Sequence, residues 1–194
     1  MDSVQTSLLS AYLLLVQDYQ QALEFIEPND ANGGVFSHRL YALLLRTCTE
    51  FENAAKALAA RYDIPLPARP NITHFHPACF RQDLSGPAVG LLFWQPSPRY
   101  IRPFDGWATP ESPLAWYRDY NLVKHSREQS FPCASLANVT SALAGLFVLY
   151  YAHYSLEFFM PHYQFSWGNR FDEPGSVEII IPGSLFSFRR PIEA

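Results

Sequence analysis

The chain has 194 residues, of which 48% are hydrophobic, 15% aromatic and only 16% charged. This composition excludes intrinsic disorder and supplies enough apolar side chain for a sizeable core. A formal charge of −4 excludes a strongly basic nucleic-acid-binding surface, and three scattered cysteines, Cys48, Cys79 and Cys133, exclude an even, clustered disulfide framework.

Residues 4–26 predict a helix, because Leu8, Tyr12, Leu15, Tyr19 and Ile26 recur at three-to-four spacing without an intervening Gly or Pro. Pro28, Asn29, Asn32, Gly33 and Gly34 then mark a loop. Residues 38–62 predict a second helix, with Leu40, Leu44, Cys48, Phe51, Ala55 and Leu58 on one side. Glu50, Glu52 and Lys56 fall outside that stripe, and Pro65 ends it. Residues 65–111 form a Pro-rich insert whose only strand-like run is Ala88 to Gln95. Its aromatic and arginine residues (Trp94, Tyr100, Phe104, Trp107, Arg99, Arg102) suit either base stacking or a cover layer on a helical core.

Residues 112–128 predict a third helix, with Ser112 as N-cap and Pro113 at the first helical position. Ser135 caps a fourth, running to about residue 158 through Leu136, Val139, Leu143, Leu146, Phe147 and Tyr150. Val177–Ile181 and Leu185–Phe188, divided by Pro182-Gly183, predict a small hairpin over 177–188. The expectation is one mainly α domain over residues 1–194.

The third helix carries the candidate chemistry. At roughly 100° per residue, Trp116, Tyr120 and Val123 fall on one face, and Arg118, Asn121 and His125 on the other. A guanidinium can hold a phosphate, an imidazole can move a proton near neutral pH, and an amide can orient either. The same pattern also describes a solvated face of an amphipathic helix.

Tyr120-Asn121-Leu122-Val123-Lys124-His125-Ser126-Arg127, just ahead of a long apolar helix, resembles the signature region of HEPN-like proteins (higher eukaryotes and prokaryotes nucleotide-binding). The stretches from Leu136 to Leu149 and from Leu44 to Glu52 strengthen the resemblance, which covers about half of the chain and leaves the insert and hairpin aside. It implies a four-helix up-and-down bundle, RNA binding and metal-independent endoribonuclease activity in a prokaryotic defence or toxin–antitoxin setting. It assigns Arg118, Asn121 and His125 to catalysis and Lys124 and Arg127 to the RNA backbone. It also implies a homodimer in which the three catalytic side chains approach their symmetry mates, the third and fourth helices supplying the contact. The family pattern is Arg, four to six residues, His; Arg118 and His125 meet it with six. The commoner frame, Arg-Asn-three residues-His, places Tyr120 where Arg stands. The alternative is a non-catalytic HEPN-like module that binds a nucleotide, a partner protein or an antitoxin.

Other patterns are weaker. His74, His76 and Cys79 sit close together but lack an evident fourth metal ligand. Gly33-Gly34 lacks the spacing and the Lys of a phosphate-binding loop, so no metal or cofactor is expected. Glu50 is a candidate partner for the polar face of the third helix, and His153 and Tyr154 suit a bundle or interface position. The acidic, Arg-free start and an 11-residue longest apolar run predict a cytoplasmic protein without a membrane anchor.

Overall fold

The computed structural model describes residues 3–81, 83–109, 112–159, 169–170, 176–180 and 185–191. The chain is mainly helical. Its elements are α1 (Ser3–Leu23), α2 (His38–Arg61), α3 (Ile72–Phe80), β1 (Ala88–Leu91), β2 (Arg99–Ile101), α4 (Ala115–His125), α5 (Arg127–Ser130), α6 (Leu136–Tyr154), β3 (Asn169–Arg170), β4 (Ser176–Ile180) and β5 (Phe186–Pro191).

Four of these helices form a bundle in which α2 packs against α1, α4 and α6, and α4 against α6. Of the stripes read from the sequence, Tyr12, Leu15 and Tyr19 on α1 and Leu40, Leu44, Cys48, Phe51, Ala55 and Leu58 on α2 are buried, while Leu8 and Ile26 are only partly buried and Ile26 lies beyond the end of α1. A helix apolar all round belongs in the middle of a core. Accordingly, α6 is buried from Val139 to Tyr150 except at Ser141. It is the one described helix long and apolar enough to cross a membrane, and 67% of that stretch is buried inside this chain. Its apolar circumference from Leu143 to Tyr150 is buried within its own chain. Tyr19 Oη and Thr140 Oγ1, 2.6 Å apart, join α1 to α6 by a buried hydrogen bond.

At Gly145 the absence of a side chain lets the Trp116 indole of α4 pack tightly on α6. A Cβ there would stand 3.2 Å from Trp116 Cζ2. The indole is held in place because its Nε1 donates to the Pro103 carbonyl at 2.9 Å.

The third predicted helix is shorter than expected. α4 starts at Ala115 with Leu114 as an N-cap that makes no side-chain bond, so Ser112 and Pro113 lie in the approach rather than at its cap. It stops at His125 and α5 follows as a separate turn. Ser135 does cap α6, accepting from Asn138 N at 3.3 Å, and α6 ends at Tyr154, before a short 3-10 turn over Leu156–Phe158. α1 likewise ends at Leu23, three residues before the predicted boundary.

The insert holds more regular structure than its prolines suggest. α3 runs through Pro77, started by a capping box in which Asn71 Oδ1 accepts from Thr73 N at 3.1 Å and His74 Nδ1 accepts from Asn71 N at 3.0 Å. Phe75, Ala78 and Cys79 bury its inner side. β1 and β2 pair, and β1 also pairs with β5, giving an antiparallel sheet in the order β2-β1-β5-β4-β3. The predicted hairpin strands do pair, as β4 and β5. They extend a sheet begun by the insert and are not a separate unit; Pro182-Gly183 lies outside the described residues. The insert covers the bundle with Phe104 stacked 6.0 Å from Phe51 and with Trp94 and Trp107 buried.

Candidate functional site

α4 presents the two faces expected of it. Trp116, Tyr117, Tyr120 and Val123 are buried. On the other side Arg118, Asn121 and His125 line one pocket of about 410 Å³, together with Ile72, Leu114, Tyr117 and Leu122. α3, unforeseen in the sequence, contributes Ile72 and so completes a mainly apolar concavity. Such a surface with a few polar groups at its edge is the usual construction of a small-molecule site.

The three polar groups differ in freedom. Arg118 is exposed, and its Nε and Nη2 both donate to Asp119 Oδ1, at 3.1 and 3.0 Å. Asp119 Oδ2 in turn accepts from Asn138 Nδ2 at 3.0 Å. The guanidinium is thereby paired along one edge, with Nη1 left for another anion. Among the described residues no hydrogen-bond partner is assigned to the side chain of Asn121 or His125. His125 closes the last turn of α4.

Lys124 and Arg127 are engaged elsewhere. Lys124 Nζ donates to Tyr120 Oη at 3.0 Å and stands 3.8 Å from Glu52 Oε1. The Arg127 guanidinium stacks 4.7 Å from the Tyr41 ring and 5.4 Å from that of Phe131, and its Nη2 lies 3.0 Å from His38 Nδ1. A smaller hollow of about 250 Å³, formed by His125 to Gln129, connects Arg127 with His125.

Tyr120 points into the bundle and is 2% exposed. The position where the commoner family frame carries Arg therefore does not face the pocket that holds His125, while Arg118 does. Behind it lies a cluster that the sequence reading missed. Glu52 Oε1 accepts from Tyr117 Oη at 2.9 Å and from Tyr120 Oη at 3.1 Å. Burial, and then the Glu52 charge, push both phenols well above their ordinary range. Cys48, one turn before Glu52, is fully buried and its thiol is pushed up by burial, then by Glu52. Glu52 thus meets the buried face of α4, while Glu50, expected to pair with its polar face, borders a groove between α1 and α2. The signal was present: Glu52 follows Cys48 by four residues, beside the apolar stripe rather than opposite it.

His74, His76 and Cys79 have structural roles. His74 caps α3, His76 Nε2 lies 3.2 Å from the Trp107 carbonyl, and Cys79 is buried with its thiol pushed up by burial. Among the described residues, no three His, Cys, Asp or Glu side chains gather as a metal site would require. His153 stacks on Tyr154 with ring centroids 4.0 Å apart, at the end of the bundle.

Comparison with family models, curated proteins and solved structures finds no match for this chain.

Proposed function

We propose that this chain is a HEPN-like, non-catalytic nucleotide-binding module built on a four-helix bundle. The observation that carries this reading is the single pocket in which an apolar floor meets Arg118, Asn121 and His125. A base can rest on Leu114, Leu122 and the Tyr117 wall, with its polar edge toward the Asn121 amide. A phosphate can take Arg118 Nη1 and the His125 imidazole. The volume of about 410 Å³ matches a mononucleotide-sized ligand.

The proximity of Arg118, Asn121 and His125 also favours a second reading, an endoribonuclease. There His125 would take the 2′-hydroxyl proton or protonate the leaving 5′-oxygen, and Arg118 would stabilise the phosphate charge. Cleavage needs both proton transfers, and this pocket holds one imidazole. A second copy, docked through α4, would have to supply the other. The Asp119 carboxylate on Arg118 and the turning away of Lys124 from His125 favour the non-catalytic reading.

The test uses the full chain. Calorimetric titration with AMP, GMP, CMP and UMP should show binding of at least one, weakened about tenfold or more by Arg118→Ala and by His125→Ala. No binding by any of the four rejects the nucleotide reading. Mixed RNA incubated with the protein in EDTA should stay intact. Fragments ending in 2′,3′-cyclic phosphate, lost in His125→Ala, would establish the nuclease instead. Light scattering then reports whether the cleaving species is a pair of chains.

A further inference from the structure

The arginine and aromatic residues of the insert divide on folding. Trp94, Phe104 and Trp107 go into the core, whereas Arg99, Tyr100 and Arg102 stay at the surface. These three line a groove of about 460 Å³ that shares no residue with the α4 pocket. Asn138 and Ser141 of α6 and Asp105 line it as well.

Two arginines line it, and both have donors to spare. Among the described residues no hydrogen bond or ion pair is assigned to the side chain of Arg102. Arg99 pairs with Asp30 through Nη1 and lies 5.9 Å from the Trp94 ring. Trp94 Nε1 donates to the same Asp30 oxygen at 2.9 Å. Arg99 is thus fixed on one side, with its other N–H groups available. The acceptors are fixed too. Asp105 Oδ1 accepts from Gly106 N at 2.7 Å, leaving Oδ2. Asn138 gives its amide hydrogens to Asp119 Oδ2 and to the Cys133 carbonyl at 3.0 and 2.8 Å, leaving Oδ1.

A purely anionic ligand would suit the arginines and be opposed by Asp105. An uncharged polyol would satisfy the acceptors and leave two guanidinium groups unused. A ligand with an oxyanion at one end and hydroxyls at the other uses both sets. Guanidinium forks match phosphate oxygens, and carboxylate and amide oxygens accept from hydroxyls. The exposed Tyr100 ring offers a flat wall for the C–H face of a sugar. We infer that this groove binds a phosphate ester of a polyhydroxyl compound, of the sugar-phosphate class.

Titration of the full chain with ribose 5-phosphate, inorganic phosphate and ribose tests the inference, followed by calorimetry and by the fluorescence of Trp116, which lines the groove. Ribose 5-phosphate should bind at least about tenfold more tightly than either of the others. Arg102→Ala should weaken it about tenfold or more with an unchanged circular dichroism spectrum and melting temperature. Asp105→Asn should reduce the preference over inorganic phosphate, and His125→Ala should leave binding unaltered. Failure of ribose 5-phosphate to bind at millimolar concentration overturns the inference, as does full binding by Arg102→Ala. Equal affinity for inorganic phosphate reduces the groove to a simple anion site and overturns the polyol part. Loss in His125→Ala moves the ligand to the α4 pocket and overturns this placement.

Discussion

Arg118 is held by the residue that follows it: two of its nitrogens meet the same Asp119 oxygen, at 3.1 and 3.0 Å. Asp119 is anchored from behind by Asn138, so the carboxylate is a fixed competitor for any anion approaching Arg118. Asp119→Asn should therefore tighten nucleotide binding. The Arg118 end of the pair is exposed, so the gain is modest, about three- to fivefold at low salt. Calorimetry at two ionic strengths checks it, and unchanged affinity would show that Arg118 does not contact the phosphate.

Glu52 receives two phenolic hydrogen bonds across the α2–α4 contact. Tyr117→Phe and Tyr120→Phe should each destabilise the fold by about 1 kcal/mol, and Glu52→Ala by about 1–3 kcal/mol, since it leaves two buried phenols without an acceptor. Urea denaturation of the single and double variants measures this. The effects should be non-additive because the two phenols share one Glu52 oxygen.

At Gly145 an added methyl would meet an indole that its bond to Pro103 keeps from retreating. Gly145→Ala, which elsewhere favours a helix, should here destabilise the protein by about 1–3 kcal/mol. A raised melting temperature in this variant would contradict the close packing of α4 on α6.

Burial, and secondly the Arg61 charge, lower the pKa of His153 below its ordinary 6.5. The folded state thus holds a proton less readily than the unfolded chain. The stability this contributes is present above the unfolded pKa and is lost as the pH falls through the folded value. Melting temperature should drop on going from pH 7 towards acid, and His153→Gln should reduce that drop. Parallel pH profiles for the two proteins would exclude His153 as a source.

The four long helices were legible because each carries an uninterrupted apolar stripe, and Ser135 announced the start of α6 by its side chain. The α4 faces were equally readable, so Arg118, Asn121 and His125 could be grouped before any fold was known. α3 was hidden, since Pro77 sits inside it and its cap uses His74 where Glu or Gln is usual. The β1–β5 pairing was hidden because strand partners far apart in sequence leave no local mark. Glu52 was missed because its partners, Tyr117 and Tyr120, look like plain core residues until α2 and α4 are brought together.

The sheet has a consequence for how the chain matures. β1 pairs Ala88 with Arg189 and Leu91 with Phe186, so a strand made midway through synthesis waits about a hundred residues for its neighbour. Until then one side of β1 is an open edge, and such edges recruit other chains. α6, the centre of the core, is also made late, so α1 and α2 emerge with their apolar stripes uncovered. Folding on the ribosome is therefore weighted toward the end of translation, and truncation anywhere before β5 leaves a chain prone to aggregation.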